Sequence, residues 1–365
     1  MEIEMTDLDY RIILPLIKPA DAEAVHEAQK RMDSLIKPLG SLGRLEEIAV
    51  RIAGVTGCVK NDVSRKCTIV MAADNGICEE GVASTPKEIT LVQAINMTRG
   101  ICGIGVLSRV AGADLCVVDI GIDSDLKSDR WIDAKIRRGT ANFAKGPAMS
   151  REEAERAINV GIKTVAEQAG KGVKIIGTGE MGIGNTSSSS AVIMALTGAK
   201  ADDAVGRGGG LTAAACEHKK RVIENALALN DPDAADPVDV VAKVGGFDIA
   251  GLMGCFIGAS YFRIPIVVDG VISVAAALAA FRMNERIRDF MIASHLSKEP
   301  AYRIAQNEMG LSPMLDMDMR LGEGTGCPLA YGIIDAACAV MNDMATFEEL
   351  AIDREYRVDN RNKEV

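Results

Sequence analysis

Residues 67–76 read CTIVMAADNG. The run 67–73 has no charged residue, and Asp74 and Gly76 follow it. Such a run is typical of a strand that is buried on both faces. Four similar runs predict further strands at residues 115–120, 173–176, 264–268 and, more weakly, 290–293. Helix-like, mostly Ala-rich stretches lie between or beside them, at residues 87–111, 150–169, 185–197, 211–229 and 271–281. This alternation predicts an α/β fold with a doubly wound parallel sheet.

The chain is long enough for one large domain and a smaller appendage. It has 365 residues, of which 48% are hydrophobic, so it can bury a sizeable core. Helical periodicity at residues 20–34 and 43–54 precedes every predicted strand. We therefore expect a small helical domain at residues 1–60, which residues 330–365 could complete, and a large α/β domain at residues 61–330.

Composition and charge argue against several classes of function. The net charge is −10 and only 4% of the residues are aromatic, whereas nucleic-acid binding rests on basic patches and aromatic platforms. The nine cysteines are scattered without a C-x-x-C pair, and there are three histidines. We therefore expect free thiols in a reducing compartment, no metal site and no nucleic-acid partner.

The hydropathy pattern predicts no membrane segment. The longest uncharged apolar stretch, residues 249–262, is too short to span a bilayer and is followed by Arg263. Residues 1–5 read MEIEM, which is acidic and unlike the start of a signal peptide. We expect a soluble, cytoplasmic protein.

Glycines and polar residues follow the predicted strands. Asp74 follows the first strand, Asp269 and Gly270 follow the fourth, and His295 follows the fifth. Ligands of doubly wound sheets bind outside the carboxyl ends of the strands, which favours one composite site there. The alternative is that Gly and Asp simply terminate strands.

Residues 177–182 read GTGEMG, a G-x-G-x-x-G pattern between a predicted strand and a predicted helix. A nicotinamide-dependent oxidoreductase is therefore one hypothesis. Asp202 and Asp203 lie near the spacing expected of a ribose-binding acid, but residues 198–201 do not form the strand that should precede it. Glu180 would also place a carboxylate beside a pyrophosphate. We interpret the motif as a loop that binds the phosphate and sugar of a mononucleotide.

Two further glycine clusters are candidate site segments. Residues 206–211, GRGGGL, precede Lys219 and Lys220, either of which could reach a phosphate, although such lysines usually lie on a solvated helix face. Residues 322–326 read GEGTG. A single carboxylate among glycines suits a general base, and the alternative is an exposed loop with an incidental Glu323.

Six segments, in this order, resemble the nicotinate-nucleotide–dimethylbenzimidazole phosphoribosyltransferase family over about residues 20–350. They are SLIKPLGSLGRL (34–45), ADNG (73–76), GTGEMGIGNT (177–186), GGFDIAG (245–251), VVDG (267–270) and LGEGTG (321–326). The resemblance implies a Rossmann-like sheet with a small helical domain, and a homodimer. It implies transfer of the phosphoribosyl group of nicotinate mononucleotide to 5,6-dimethylbenzimidazole in cobalamin biosynthesis, giving α-ribazole 5′-phosphate and nicotinate.

The resemblance also implies roles for individual residues. Glu323 matches the general base, Glu180 an acid near the benzimidazole and the ribose, and Lys219 a phosphate-side lysine. Phosphate contacts are expected from Gly182, Gly208 and Ser297, base contacts from Ser84, Gln93, Met181 and Leu321, and a further substrate contact from Asp269.

The implied reaction needs few groups. Nicotinate leaves as a neutral ring, and one carboxylate suffices to take the second N–H proton of the attacking benzimidazole. No pyrophosphate leaves, so neither Mg²⁺ nor a cofactor is expected. A non-catalytic or heterodimeric member of the same family is a further hypothesis, beside the oxidoreductase.

Overall fold

The computed structural model describes residues 8–353 and 358–361 of the chain. The acidic start, residues 1–5, and part of the predicted C-terminal segment 330–365 lie outside these residues. The strands are β1 (Lys66–Ala73), β2 (Asp114–Gly121), β3 (Ile132–Asp133), β4 (Ile175–Met181), β5 (Ile266–Val268) and β6 (Met291–Ala293).

The helices surround this sheet. They are α1 (Tyr10–Ile13), α2 (Ala22–Ser34), α3 (Arg44–Thr56), α4 (Ile89–Thr98), α5 (Gly103–Val110), α6 (Arg151–Gly170), α7 (Asn185–Thr197), α8 (Ala201–Ala204), α9 (Ala213–Asn230), α10 (Pro237–Val244), α11 (Phe247–Tyr261), α12 (Val271–Met283), α13 (Pro300–Glu308) and α14 (Gly326–Asp343). Short 3-10 helices span Leu14–Leu16, Gly76–Glu80 and Glu285–Phe290.

The six strands form one parallel sheet in the order β3–β2–β1–β4–β5–β6. Every residue of β1 is buried, as expected of a central strand with helices on both faces. The chain winds outward from β1 to β3 and then returns to β4, so the strand order reverses between β1 and β4. This reversal opens a crevice at their carboxyl ends, and the predicted α/β fold is confirmed.

The predicted end of the third strand was wrong. Strand β4 continues to Met181, whereas the prediction ended it at residue 176. Gly177 and Gly179 therefore lie inside the strand, not in a loop after it. The segment Thr178–Met181 lacks the apolar run that predicts a strand, but its backbone pairs with β1 up to Ala72. Strand β3 has only two residues, too few to give a pattern.

The helix predicted at residues 87–111 is interrupted. Gly100 has a positive φ of 68° and separates α4 from α5. By length and composition the segment Ile89–Val110 would be apolar enough to cross a membrane, and a third of its most apolar 18-residue stretch is buried in the fold.

Helices α2, α3 and α14 form a second buried cluster on one side of the sheet. Met32, Ile52 and Tyr331 are fully buried in it and pack with Ile175 and Val267 of the strands. This packing joins the early helices to the C-terminal helix, while the division into two domains stays a prediction.

Helices α6 and α11 approach each other closely through glycines. Gly161 of α6 lies against the carbonyl of Gly251, and a Cβ on Gly161 would lie 2.8 Å from the backbone nitrogen of Cys255. Gly254 of α11 faces the carbonyl of Ile158 in the same way. Since backbone atoms cannot move aside independently, this crossing requires glycine.

Gly161→Ala should lower the free energy of unfolding by about 1–3 kcal/mol, because the added methyl group overpacks the α6–α11 contact. Urea denaturation of the purified variant measures this. Gly170→Ala is the matched control at the end of the same helix, where a Cβ meets no atom of the described residues within 4 Å. Equal stability of the two variants would contradict the proposed contact.

Candidate active site

A cavity of about 280 Å³ lies at the carboxyl ends of β1 and β4. Nine of the predicted site residues line it: Ser84, Gln93, Glu180, Met181, Gly182, Gly208, Ser297, Leu321 and Glu323. Lys219 and Asp269 lie directly behind the wall, where they bind residues that form it or adjoin it. The fold thus brings the predicted residues together from segments that are far apart in the sequence.

Residues 322–324 turn sharply before α14. Gly322, Glu323 and Gly324 have positive φ values of 82°, 62° and 91°. For a glutamate this left-handed conformation is strained, and such strain persists only where the surroundings impose it. Glu323 is only 6% exposed, so the alternative of an exposed loop is wrong, while the role of Glu323 as base stays a prediction.

Two buried carboxylates hold this loop. The Oδ2 and Oδ1 atoms of Asp269 accept hydrogen bonds from the backbone N–H groups of Gly324 (3.0 Å) and Gly326 (2.7 Å). Oε1 of Glu180 accepts a bond from the N–H of Glu323 at 3.3 Å. Three N–H groups of one short loop therefore point at two carboxylates.

The glycines of the 177–182 motif make room for the same loop. A Cβ on Gly179 would lie 2.5 Å from the carbonyl oxygen of Glu323, and one on Gly177 would lie 2.7 Å from the Cβ of Cys327 in α14. Gly182 lines the cavity, but the two other glycines do not approach it. The interpretation of the whole motif as a phosphate loop was therefore wrong for Gly177 and Gly179.

The carboxylate of Glu323 is fixed by two donors. Its Oε1 accepts a hydrogen bond from Nε2 of Gln93 at 3.0 Å, and its Oε2 accepts one from the N–H of Ile104 at 3.0 Å. Ile104 is in the first turn of α5, where the helix dipole favours a negative charge. No sequence pattern indicated this contact, because residues 87–111 were predicted as one uninterrupted helix.

Buried acids crowd the floor of the site. Burial raises the pKa of Glu180 to about 8, and the carboxylate of Asp248 contributes to that rise. Burial likewise raises the pKa of Asp269 to about 7 and that of Asp248 to about 6. Asn185 at the start of α7 donates to both Glu180 and Asp248. Sequence reasoning missed Asn185 and Asp248 as site residues.

Lys219 lies behind the wall of the cavity, beside Thr186. Its side chain is fully buried, and its Nζ donates to Oγ1 of Thr186 (2.9 Å) and to the carbonyl of Gly206 (3.4 Å). Burial lowers the pKa of Lys219, although the buried carboxylate of Glu299 opposes that effect. Lys220, in contrast, pairs with two acidic side chains of the surface. Only the first of the two lysines is therefore placed to serve the cavity.

Asp74, which follows β1, and Asp119, near the end of β2, accept hydrogen bonds from backbone N–H groups. Oδ2 of Asp74 accepts a bond from the N–H of Asp123, and Oδ1 of Asp119 accepts one from the N–H of Ile122. Asp119 also pairs with Lys135. Neither acid lines the cavity. For Asp74 and Asp119 the alternative interpretation is therefore correct: they terminate strands and do not belong to the site.

Within residues 8–353 and 358–361 no group of His, Cys, Asp and Glu could hold a metal ion. All nine cysteines are free. His295 lines the cavity and is 2% exposed, and burial lowers its pKa. The absence of a cofactor from the reaction stays a prediction.

Comparisons with known proteins agree with this geometry. A family model described as phosphoribosyltransferase matches residues 17–352. The doubly wound sheet, with its cavity at the point of strand reversal, is therefore the fold of a phosphoribosyltransferase.

The relatives narrow this class. A nicotinate-nucleotide–dimethylbenzimidazole phosphoribosyltransferase of Clostridium tetani is 53% identical over 95% of this chain and 96% of its own length. The protein of that name from Acetivibrio thermocellus is 51% identical over 91% and 95%. The crystal structure of CobT from Thermus thermophilus matches with a TM-score of 0.88 at 38% identity, covering 91% of this chain and 99% of that one. The chain belongs to the nicotinate-nucleotide–dimethylbenzimidazole phosphoribosyltransferase family.

The raised pKa of Glu180 predicts a dependence of stability on pH. Because the folded pKa is about 8 and the ordinary value is 4.5, the folded state binds more protons than the unfolded state between them. Glu180 therefore stabilises the fold at acidic pH and loses this contribution as the pH rises. Glu180→Gln has no proton to lose, so its Tm relative to wild type should rise between about pH 5 and pH 8. A constant difference in Tm over this range would contradict the raised pKa.

Proposed function

We propose that the chain transfers the phosphoribosyl group of nicotinate mononucleotide to 5,6-dimethylbenzimidazole, or a related base, in cobalamin biosynthesis. The products are α-ribazole 5′-phosphate and nicotinate. The observation that carries this proposal is the buried carboxylate of Glu323, held on the cavity wall by Gln93 and the N–H of Ile104. The names of the relatives supply the substrate class.

Glu323 acts as the base in this proposal. One benzimidazole nitrogen attacks C1′ of the ribose while the glycosidic bond to nicotinate breaks and its electrons return to the pyridine ring. Positive charge develops on the benzimidazole, and Glu323 accepts the proton of its other nitrogen. Nicotinate leaves as a neutral ring and needs no acid.

Other residues of the cavity suit the rest of the substrate. Gly208 and Ser297 line the cavity and the buried Lys219 lies beside Gly208, and we assign them to the phosphate, since a buried lysine acts as a point charge. Met181 and Leu321 provide apolar walls for the aromatic base. A β-configured donor that gives an α-product is attacked on its opposite face, so the rings must lie on either side of the ribose.

The alternatives are not supported. The oxidoreductase needs residues 177–182 as a dinucleotide loop, but Gly177 and Gly179 lie inside β4 and pack against α14 and the loop of Glu323. A non-catalytic member would have no need of the donors that orient Glu323.

The direct test is to incubate the purified chain with nicotinate mononucleotide and 5,6-dimethylbenzimidazole and to follow both products by chromatography. We expect equimolar nicotinate and α-ribazole 5′-phosphate. Release of neither would refute the proposal. Replacing the base by adenine, other benzimidazoles or phenols would then define the preferred acceptor.

We further propose a homodimer that acts in the cytoplasm. Ile101 and Val110, beside and in α5, are 64% and 81% exposed, and exposed apolar groups of this kind suit a protein–protein contact. Light scattering coupled to size-exclusion chromatography measures the mass directly. A monomer at micromolar concentration would contradict the dimer.

Glu323→Gln should leave the fold intact and lower kcat by about 10²- to 10⁴-fold, because the amide cannot accept the benzimidazole proton. Steady-state kinetics measure the loss, and circular dichroism checks the fold. Turnover close to wild type would contradict the role of Glu323 as base.

Lys219→Met should raise the KM for nicotinate mononucleotide by at least about tenfold, because a charge-assisted bond to phosphate is lost. Lys220→Met is the matched control, since the neighbouring lysine pairs with Asp202 and Glu217 at the surface. Equal effects of the two substitutions would contradict the phosphate role of Lys219.

A further inference from the structure

A chain of hydrogen bonds leads from the core to the loop of Glu323. Asp248, near the start of α11, is fully buried, and its Oδ2 accepts a bond from Nδ2 of Asn185 at 2.9 Å. The same Nδ2 donates its second hydrogen to Oε2 of Glu180. Oε1 of Glu180 accepts the N–H of Glu323. Asn185 and Glu180 therefore connect Asp248 to the residue that we propose as base.

We propose that Asp248 is a positioning residue, which orients Asn185 and thereby fixes Glu180 against the loop that carries Glu323. This inference rests on the proposed function. Asp248 does not line the cavity, so any effect on turnover must pass through its neighbours.

The position requires an acceptor at both oxygens. Oδ2 of Asp248 faces Asn185, and Oδ1 accepts the N–H of Ile249 at 3.0 Å. The side chain of Asn75 provides a further hydrogen bond. An asparagine at 248 would turn an NH₂ group toward one of these donors, and a buried unsatisfied pair of donors is costly.

Two glycines show that the space around Asp248 is closely filled. A Cβ on Gly182 would lie 2.8 Å from Oδ2 of Asp248, and one on Gly246 would lie 2.6 Å from Oδ1 of Asn75. The carboxylate is thus confined and cannot swing away from Asn185. The segments ADNG, GNT and GGFD, which are distant in sequence, meet at this point.

A role in orienting Asn185 and Glu180 explains the burial of the Asp248 carboxylate better than a contribution to stability does. The bonds that Asp248 receives come from neutral donors, Asn185, Ile249 and Asn75, and no opposite charge offsets the cost of taking this carboxylate out of water. Its charge, however, acts on Glu180. The groups that face Glu180 are Asp248 from α11, Asp269 after β5, Asn185 from α7 and the backbone of Glu323.

The test compares Asp248→Asn with Asp119→Asn, a matched control that removes a buried charge near the end of β2 outside the cavity. We expect Asp248→Asn to lower kcat by about 10- to 100-fold, since a misplacement of about 1 Å has effects of this size. The KM for nicotinate mononucleotide should change less than kcat, because Lys219 is not part of the chain of bonds. Asp119→Asn should retain wild-type turnover.

One further readout separates positioning from a structural role. In a double-mutant cycle, Asp248→Asn should add little once Asn185→Ala is present, since both break one chain. Additive effects, or a lower Tm with unchanged kcat per folded molecule, would overturn the proposal.

A crystal structure of each variant completes the test. We expect Glu180 to turn away from the N–H of Glu323 in Asp248→Asn and in Asn185→Ala, so either variant suffices if the other does not fold. Glu180 in its wild-type position would overturn the proposal. Failure of the wild type to release nicotinate would instead refute the proposed function, and the position of Glu180 would still decide the role of Asp248.

Discussion

Two buried carboxylates, Glu180 and Asp269, accept the backbone N–H groups of the loop at residues 323–326, and the site depends on this contact. Residues 322–324, at the start of this loop, are three successive left-handed residues that include one glutamate, a conformation that the chain would not adopt alone. Glu180 and Asp269 impose this conformation, and glycines on β4 give the loop room to approach. Glu323 thereby reaches the first turn of α5.

Burial raises the proton affinity of the acids on the floor of the site. It raises the pKa of Glu180 to about 8 and that of Asp269 to about 7, because it favours their protonated forms. The loop thus separates two kinds of carboxylate. Those on the floor bind backbone N–H groups and the amide of Asn185, whereas the carboxylate of Glu323 accepts hydrogen bonds from Gln93 and from the N–H of Ile104 in the first turn of α5.

Much of the fold and part of the site could be predicted from the sequence. Apolar runs located five strands, and the glycines around Glu323 singled that residue out as a candidate base, because glycines provide the positive φ values that the turn needs. The extent of β4 was missed, since its Gly-Thr-Gly-Glu segment is held by pairing with β1 and not by an apolar pattern. Asn185 and Asp248 were missed because their bonds join helices far apart in sequence, and local patterns carry no information about such contacts.

The most direct test of the central claim is a crystal structure of the chain with 5,6-dimethylbenzimidazole bound. Our proposal predicts a ring nitrogen within hydrogen-bond reach of a Glu323 carboxylate oxygen, at about 2.6–3.2 Å, with the ring between Met181 and Leu321. A base bound elsewhere in the cavity, or one whose nitrogens both face away from Glu323, would contradict it.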